Sequence, residues 1–442
     1  MRSNIKEPIL FKKILSELYP DLIIKTLNGI TIDSRLVKPN DIFIALKGEN
    51  SDGNIFIEDA FKAGASACIT EKKIDNKLAF TVPSTLYFLK KIAKKYRKAM
   101  NYPIIGITGS NGKTTTKELL THVLSINKNI AYSKGNYNST TGAPLSIFEF
   151  KKNLDVGIIE MGANKPGEID YICEIIKPNM GVITNISKAH TKFFGSIENI
   201  AKTKSALFHA IPKSGAVFVN IDDKYINRIT TNCNKIKYSF LKTSDYTGSW
   251  STRYNSLIIN NTKIKIGPPF YTLGLNALAV YSIASYLGIK SNLIKQQIES
   301  FSTPMGRGNI INHKNINIIN DSYNANLESV KAGINNLKLM PVNGKKIVVI
   351  GDMLELGDIE KKHHIKLGEY LSSQKIDAVL AFGILTEYTI KAMNGSTMPH
   401  KYYNNKDKLI FDLKKIATKR DTIYIKGSRG MKMEEVIKGL KE

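Results

Sequence analysis

Short apolar runs separated by amphipathic stretches recur along the chain. Between residues 30 and 85, strand-like runs read GITIDSR, DIFIAL and ACIT, and the stretch IEDAFKAGA among them has helical periodicity. From residue 103, the apolar runs PIIGIT, VGIIEMG, MGVITN and AVFVN alternate with helical stretches. A second series follows STPMGRGN near residue 305 and contains NINIIND, KIVVIGD, IDAVLAFG and DTIYIKGS. This alternation predicts parallel strands joined by crossover helices, which is an α/β fold.

Chain length supports a division into several domains. The 442 residues correspond to about three domains of roughly 150 residues each. The pattern places the breaks near residues 100 and 308. We therefore predict three α/β domains, spanning residues 1–99, 100–308 and 309–442.

Composition excludes several classes of protein. Hydrophobic residues make up 42% and charged residues 23% of the chain, as in ordinary globular proteins. No apolar run approaches the roughly 20 residues that span a bilayer, and the first twenty residues lack the apolar core of a secretory signal. The cysteines, Cys68, Cys173 and Cys233, form no CxxC pair, so neither a disulfide framework nor a zinc site is indicated. We expect a cytoplasmic protein without a membrane span.

The net charge of +26, from 64 Lys and Arg against 38 Asp and Glu, is the unusual feature of the composition. Such a charge can indicate nucleic acid, a membrane surface or anionic small molecules as partners. The lysines are scattered among Ile and Asn, and no aromatic-basic interleaving accompanies them. We therefore expect no nucleic-acid partner and attribute most of the charge to a drift in amino-acid usage along the whole chain.

The stretch ITGSNGKTTTKELL, residues 107–120, is the main candidate for chemistry. A predicted strand ending at Ile107 leads into a glycine-rich loop and then a helix, which is the context of a phosphate-binding loop. Glycines let backbone N–H groups point at an anion, and the helix N-terminus adds partial positive charge. Lys113 would reach the β- and γ-phosphates, and the Thr114 hydroxyl would hold Mg²⁺.

The spacing of this loop departs from the usual GxxxxGK[ST] pattern. Five residues rather than four separate Gly106 from Gly112. The match is therefore to the shorter core GxxGKT, from Gly109 to Thr114.

Glu160 and His190 follow the next predicted strands, in GIIEMGA and ITNISKAH. Ligands of parallel α/β sheets bind at the carboxyl ends of strands, and Mg²⁺ at nucleotide sites takes one or two carboxylates besides phosphate oxygens. Taken alone, a single Glu or His is more often a salt-bridged or core residue than a metal ligand. The residues by themselves leave the metal assignment open.

Six segments together resemble the Mur ligases: GITGSNGKTTTKELL, GIIEMGANKPGEID, VITNISKAH, NDSYNAN, GDMLELG and IKGSRGMKMEEVI. The resemblance runs from about residue 30 to the C-terminus. DSRLVKPNDIFIALKGENSDG resembles a UDP-sugar-binding domain that members acting at two successive steps share. DSYNAN, GDMLELG and KGSR look like the members that add D-alanyl-D-alanine, and the DNPR motif of many diaminopimelate-adding members is absent.

The resemblance implies a monomeric ATP-dependent amide ligase with a small α/β UDP-substrate domain, a central P-loop ATPase domain with a mostly parallel sheet and a Rossmann-like C-terminal domain. It implies that D-alanyl-D-alanine is joined to UDP-N-acetylmuramoyl-tripeptide, with ATP first phosphorylating the terminal carboxylate of the tripeptide. The dipeptide amine then attacks the acyl phosphate. Since most reactants are anionic, positioning and charge neutralisation would dominate catalysis, which gives part of the positive charge a use.

The resemblance also carries roles to individual positions. An ATP site is implied at Gly109, Ser110, Asn111, Gly112, Lys113, Thr114, Thr115, Asn276, Arg307 and Asp321. Ligands for Mg²⁺, with two ions expected, are implied at Thr114, Glu160, His190 and Lys204. Catalytic roles are implied for Lys113, Lys204 and His190. Contacts to the other substrates are implied for Asp33, Ser34, Arg35, Lys47, Asn138, Lys426, Ser428 and Arg429.

Lys204, in NIAKTKSALFHAI, stands where the resembled family has a lysine that carries CO₂ as a carbamate. Carbamylation turns a cation into an anion that can help hold a second Mg²⁺. It needs an uncharged amine, so we expect burial or neighbouring cations to lower the pKa of this lysine. Lys202 is the alternative carrier.

Two segments depart from the family pattern. The residues STT after Asn138 differ from the more usual sequence of that loop. Thr272 and Leu273 stand where many relatives have the His-Asn pair of an HNxxNA pattern, while Asn276 matches its second asparagine. We expect the contacts of the missing pair to be lost.

The asparagines of NDSYNAN have two possible roles. Asn324 and Asn326 are expected to shape the loop that follows Asp321. An Asx turn or a helix cap is the alternative role of each asparagine.

Two other functions stay open from the sequence. A folylpolyglutamate-type ligase would share the central and C-terminal domains, although the UDP-binding segment at residues 30–70 argues against it. A basic P-loop ATPase stimulated by nucleic acid is the second alternative. Whether the third residue of the tripeptide is diaminopimelate or lysine is left undecided.

Overall fold

Three sheets, each covered by helices, follow one another along the chain. The structure is a computed structural model, and it describes residues 1–48, 51–188, 191–251, 256–267 and 270–442. The predicted α/β class is confirmed, since most neighbouring strands pair in parallel. The predicted breaks near residues 100 and 308 fall between successive sheets. The exact domain limits stay a prediction.

The N-terminal sheet has five strands in the order β1-β2-β3-β4-β5. Only β1 runs antiparallel to its neighbour. The strands are β1 (Arg2–Asn4), β2 (Gly29–Thr31), β3 (Asp41–Ile44), β4 (Ala67–Thr70) and β5 (Ala79–Thr81). The helices are α1 (Pro8–Leu18), α2 (Ile57–Lys62) and α3 (Thr85–Lys98).

The central sheet has nine strands in the order β14-β13-β12-β11-β10-β9-β6-β8-β7. The strands are β6 (Ile104–Thr108), β7 (Ile130–Tyr132), β8 (Val156–Glu160), β9 (Met180–Ile183), β10 (Ala216–Asn220), β11 (Asn234–Ser239), β12 (Tyr246–Ser251), β13 (Ser256–Ile259) and β14 (Thr262–Lys265). The helices are α4 (Lys113–Leu124), α5 (Gly142–Ile147), α6 (Glu168–Ile176), α7 (Thr191–Phe194), α8 (Ile197–His209), α9 (Lys224–Asn227), α10 (Phe270–Tyr286) and α11 (Ser291–Ser300).

Strand β6 lies between β8 and β9, so the carboxyl ends of all three meet at one edge of the sheet. Every residue of β6 and β8 is buried, because helices cover both faces of a parallel sheet. This explains why these strands read as continuous apolar runs in the sequence. It also brings the loops that follow them together.

The C-terminal sheet has six strands in the order β15-β16-β20-β17-β18-β19, with only β15 antiparallel to its neighbour. The strands are β15 (Asn309–His313), β16 (Ile316–Asp321), β17 (Lys346–Gly351), β18 (Ala378–Phe382), β19 (His400–Tyr403) and β20 (Thr422–Lys426). The helices are α12 (Leu327–Leu339), α13 (Glu360–Ser372), α14 (Thr386–Lys391), α15 (Lys406–Ile416) and α16 (Glu434–Lys441).

The antiparallel strands β12, β13 and β14 at the end of the central sheet are absent from the predicted pattern. Their sequences, YTGSWS, SLII and TKIK, are short and mostly half-polar. The sequence signal for the turn between β13 and β14 is Asn260-Asn261. Both residues have positive φ, as a two-residue hairpin requires. Among the described helices, none is long and apolar enough to cross a membrane.

The first two domains share one apolar core. Phe11 of α1 packs edge-on against Tyr96 of α3 and against Phe148 after α5, with ring centroids 6.1 and 5.0 Å apart. Arg97, at the end of α3, is buried and donates hydrogen bonds to the carbonyls of Ile176 and Met100. These contacts fasten the N-terminal domain to the central one.

Candidate active site

The loop between β6 and α4 depends on two glycines in conformations that other residues rarely adopt. Gly109 has φ +150° and Gly112 has φ +80°. A Cβ at Gly109 would lie 1.9 Å from the hydroxyl oxygen of Thr184, so a larger residue does not fit there. Gly112 immediately precedes α4, and the loop therefore turns its backbone toward a helix N-terminus, as anion sites do.

The segment after β9, residues 184–187, forms hydrogen bonds with this loop. The backbone N–H of Ser110 donates to the carbonyl of Asn185 at 2.9 Å, and that of Asn111 donates to the Asn185 side chain at 3.1 Å. The Ser110 hydroxyl donates to the carbonyl of Ser187 and accepts from its N–H. The loop is thus held in shape by protein contacts alone.

Lys113 lies inside the loop as a half-buried cation. Its Nζ donates to the carbonyls of Gly109 at 2.8 Å and Ser110 at 3.3 Å. Burial lowers its pKa because the charged form loses solvation. In the described part of the chain, no carboxylate lies within the 4.0 Å of an ion pair with Lys113. A phosphate would supply the missing anion.

Glu160, the last residue of β8, is 1% exposed. Its Oε1 accepts hydrogen bonds from the Thr114 hydroxyl at 3.1 Å and from the Asn138 amide at 2.8 Å. Its Oε2 is buried and accepts no hydrogen bond from any described residue. A buried carboxylate oxygen with open lone pairs beside a threonine hydroxyl fits a hard divalent cation such as Mg²⁺.

Lys117 belongs to the same cluster and was missed by the sequence analysis. Its side chain is fully buried, and Nζ donates to the carbonyl of Ser133 at 2.7 Å. The same nitrogen lies 2.9 Å from a Glu118 oxygen and 3.9 Å from Glu160 Oε2. The available signal was the spacing of four from Lys113, which places both lysines on one face of a helix.

Lys204 lies in the middle of α8. It is buried, and burial, with Lys113 nearby, lowers its pKa to about 7. Among the described residues it has no carboxylate partner within 4.0 Å. Lys202 is exposed. Lys204 thus meets the expected condition for a carbamate, while the modification itself stays a prediction.

His190 lies outside the described residues, so its predicted metal role is untested. Within the described ranges, no group of three or more His, Cys, Asp and Glu side chains is placed to hold a metal ion. A metal beside Glu160 and Thr114 would therefore take its further ligands from phosphate, from a modified side chain or from residues outside the described ranges.

Residues of the C-terminal domain form the opposite wall. Asp321, the last residue of β16, accepts hydrogen bonds from Lys426 Nζ at 2.7 Å and from the Tyr424 hydroxyl at 2.8 Å. Burial, with Asp321 beside it, raises the pKa of Tyr424. The Arg307 guanidinium lies 3.8 Å from the centre of the Tyr323 ring, a cation–π contact that holds Arg307 at the domain junction.

A cleft of about 590 Å³ opens between the central and C-terminal domains, within the range of small-molecule sites. The predicted site residues that line it are Gly109, Ser110, Asn111, Gly112, Lys113, Thr114, Thr115, Asn138, Glu160, Lys204, Asn276, Arg307, Asp321 and Lys426. Every residue predicted to bind ATP is in this set. Their roles stay predictions, but the structure brings them to one place.

The other predicted substrate residues lie outside this cleft: Asp33, Ser34, Arg35, Lys47, Ser428 and Arg429. Asp33 and Arg35 pair with each other at 2.8 Å, and the Arg35 side chain is 85% exposed. Arg429 pairs with Glu434 on the surface. The buried Ser428 accepts a hydrogen bond from the N–H of Leu354.

Family models match the chain in three consecutive parts. The match to the Mur ligase family catalytic domain covers residues 26–107, that to the Mur ligase middle domain covers 107–313, and that to the Mur ligase glutamate ligase domain covers 306–429. The chain therefore belongs to the Mur ligase family, as its resemblance predicts.

Individual relatives are similar over almost the whole chain. It is 33% identical over 437 residues to the UDP-N-acetylmuramoyl-tripeptide--D-alanyl-D-alanine ligase of Bacillus subtilis, covering 94% of this chain and 93% of that one. Identity to the ligase of the same name from Buchnera aphidicola (Acyrthosiphon pisum symbiont) is 34% over 439 residues, covering 95% and 94%.

Two solved structures have the same fold. The crystal structure of MurF from Acinetobacter baumannii superposes with a TM-score of 0.88 at 27% identity, covering 100% of this chain and 99% of that one. MurF from Thermotoga maritima in complex with ADP gives a TM-score of 0.82 at 29% identity, covering 95% and 97%.

Proposed function

We propose that this protein joins D-alanyl-D-alanine to UDP-N-acetylmuramoyl-tripeptide with hydrolysis of ATP to ADP and phosphate, as a step in making peptidoglycan precursor. The relatives named for this reaction match it over nearly their full length. The observation that carries the proposal is that one cleft holds both Lys113 and Glu160. Within the described part of the chain, the Lys113 ammonium has no carboxylate partner, and Glu160 Oε2 accepts no hydrogen bond.

The site is suited to activating a carboxylate, which is a poor electrophile. The terminal carboxylate of the tripeptide attacks the γ-phosphorus of ATP, and ADP leaves. The amine of the dipeptide then attacks the acyl carbon, phosphate leaves and the amine loses a proton. Lys113 and the backbone N–H groups of the loop hold the phosphates in place, and they neutralise charge in both steps.

Mg²⁺ fits this site beside Glu160 and Thr114, and when bound it would neutralise phosphate charge and fix the phosphate oxygens. His190 is proposed as a further ligand. A carbamate on Lys204 is proposed as the ligand of a second ion. The ammonium group first loses a proton, and the neutral amine then forms a bond to the carbon of CO₂ and loses a second proton, so the cation becomes an anion.

Other parts of the molecule have proposed roles at greater distance from the cleft. Asp33, Ser34, Arg35 and Lys47 are proposed to bind the uridine diphosphate end of the substrate. Asn138, Lys426, Ser428 and Arg429 are proposed to contact the reacting peptides. We also propose that the enzyme is a cytoplasmic monomer.

Phosphate release tests the proposal directly. The purified protein is given ATP, Mg²⁺, D-alanyl-D-alanine and a UDP-N-acetylmuramoyl-tripeptide ending in either diaminopimelate or lysine. Release that depends on both peptides is expected, and the preferred tripeptide identifies its third residue. Release that depends instead on DNA or RNA, or on a folate with glutamate, would contradict the proposal.

A further inference from the structure

Asn326 is the N-cap of helix α12. Its Oδ1 accepts from the backbone N–H of Ser329 at 2.9 Å, and the Ser329 hydroxyl accepts from the N–H of Asn326 at 3.0 Å, which makes a capping box. Because the cap uses the amide oxygen, the amide nitrogen must point away from the helix. That nitrogen donates to Oδ1 of Asn111 at 2.8 Å. The contact joins the C-terminal domain to the phosphate loop.

The partner amide is oriented from its other side as well. Asn111 Nδ2 donates to the hydroxyl of Ser187 at 3.2 Å, and its backbone carbonyl accepts from the Thr184 hydroxyl and from Asn185. With its nitrogen used by Ser187, the Asn111 side chain presents its oxygen to Asn326. The two amide side chains thus connect α12, through Asn111, to Ser187 in the segment after β9 that hydrogen-bonds to the phosphate loop.

The two interdomain boundaries of the central domain differ in chemistry. Aromatic packing around Phe11 and Phe148 joins it to the N-terminal domain. At the boundary with the C-terminal domain, Trp250 packs against an apolar cluster of that domain. Helix α12 adds neutral hydrogen bonds across the cleft, from Asn326 to Asn111 at its start and from Asn336 Nδ2 to the Thr272 hydroxyl at 3.3 Å about three turns later. Neutral hydrogen bonds stabilise modestly, so docking at this boundary can be reversible.

We propose that Asn326 is a positioning residue through which docking of the C-terminal domain orders the phosphate loop for nucleotide binding. The hydrogen bond to Asn111 is the contact that transmits docking to the loop. Asn326 acts through Asn111 and is not itself catalytic. The inference rests on the proposed function only in taking this loop as the nucleotide site.

If Asn326 served only as a helix cap, replacing it with another good capping residue would leave ADP affinity unchanged. Asn326→Ser keeps a good N-cap but is too short to reach Asn111. Asn405→Ser is the matched control, since Asn405 caps α15 of the same domain, accepts from the N–H of Lys408 at 2.9 Å and lies outside the cleft.

The measurements are ADP affinity by calorimetry with Mg²⁺, kcat, KM for ATP and the thermal midpoint. Loss of one neutral hydrogen bond is expected to weaken ADP binding by about five- to tenfold in Asn326→Ser. Asn405→Ser is expected to bind ADP as the wild type does, and both variants to unfold at similar temperatures. In an Asn111→Ala background, Asn326→Ser is expected to have no further effect on ADP affinity, because the two residues act through one contact.

The proposal would be overturned if Asn326→Ser bound ADP with an affinity within twofold of the wild type. It would also be overturned if Asn326→Ser weakened ADP binding as much in the Asn111→Ala background as in the wild type. If Asn326→Ser does not fold, the same double-mutant cycle with Asn111→Ala is measured with Asn326→Thr, since threonine is also a capping residue. If neither folds, Asn326 is a structural cap and the proposal fails. If the wild-type protein binds ADP but does not join the peptides, the proposed function is refuted, while the ADP affinities of the double-mutant cycle still test the role of Asn326.

Discussion

Lys113 and Lys204 are two lysines that line one cleft, and Lys113 influences the pKa of Lys204. The positive charge of Lys113 adds to burial in lowering the pKa of Lys204 to about 7. Neither has a carboxylate partner among the described residues. Burying charges without partners costs stability, which the chain tolerates where a ligand or a modification supplies the anion.

Lys113→Ala is expected to lower kcat at least about 100-fold, because it removes a contact to phosphate charge that develops in the transition state. Within the described residues, the Lys113 side chain donates hydrogen bonds only to loop carbonyls, so the fold should persist. Phosphate release and far-UV circular dichroism check both parts. A variant that keeps more than about a tenth of the wild-type kcat contradicts the phosphate-loop assignment.

Lys204→Ala is expected to be nearly inactive and to regain activity when acetate or propionate is supplied. A short carboxylic acid can replace the anion that the carbamate provides. Lys202→Ala is the control and should stay active, since Lys202 is exposed. Activity is titrated against carboxylate concentration. Absence of rescue at every concentration, with no density beyond the Lys204 amine in a crystal structure, would refute the carbamate.

The lowered pKa of Lys204 also predicts a pH dependence of stability. The pKa is about 7 in the folded state against an ordinary 10.5, so between these values the unfolded chain binds the extra proton and stability rises with pH. Lys204→Met removes this term. In CO₂-free buffer, the free energy of unfolding of the wild type should gain roughly 1–3 kcal/mol relative to Lys204→Met between pH 6 and 9. Urea unfolding at both pH values measures it, and a constant difference would show that Lys204 does not titrate there.

Helix α4 arranges two lysines with different surroundings on one face. Lys113 points into the phosphate loop, and Lys117, one turn later, is enclosed between the Ser133 carbonyl and Glu160. Removing one member of a buried charge pair leaves the other uncompensated. Through these two lysines, α4 connects the phosphate loop to Glu160 at the end of β8.

Lys117→Met is expected to lower the free energy of unfolding by roughly 3 kcal/mol, because Glu160 and the Ser133 carbonyl lose their cation while the apolar stem is kept. Glu118→Gln, which removes the partly exposed partner of Lys117, should cost less than about 1 kcal/mol. Urea denaturation compares the two variants. Equal stabilities of Lys117→Met and wild type would mean that the buried pair contributes nothing.

The sequence predicted the elements with strong local patterns and missed those set by distant contacts. The buried strands and the loop from Gly109 to Thr114 were visible because apolar runs and glycine spacing are local. Burial of Lys117 was not visible, since KTTTKELL also reads as a helix with exposed lysines. The contact between Asn111 and Asn326 joins residues 215 positions apart, which no local spacing reports.

At the scale of the whole molecule, the three predicted domains are not equally separable. The N-terminal sheet is also tied to the central domain by Tyr137, whose hydroxyl bonds both the N–H and the carbonyl of Arg2 at 2.8 and 3.0 Å. The C-terminal domain has apolar clusters of its own, and its described contacts with the central domain are the packing of Trp250 against one of them and polar contacts such as that of Asn326 with Asn111. The first two domains should therefore behave as one folding unit.

Two fragments test this difference in opposite directions. Residues 1–308 are expected to fold as a unit with a cooperative thermal transition, because the cluster of Phe11, Tyr96 and Phe148 stays complete, although Trp250 loses its packing against the C-terminal apolar cluster. Residues 100–442 should aggregate or bind a hydrophobic dye, since removing Phe11 and Tyr96 leaves Phe148 without its cover and breaks an apolar core. Calorimetry and dye binding of both fragments provide the comparison. A cooperative 100–442 fragment together with an aggregating 1–308 fragment would reverse the assignment of the folding unit.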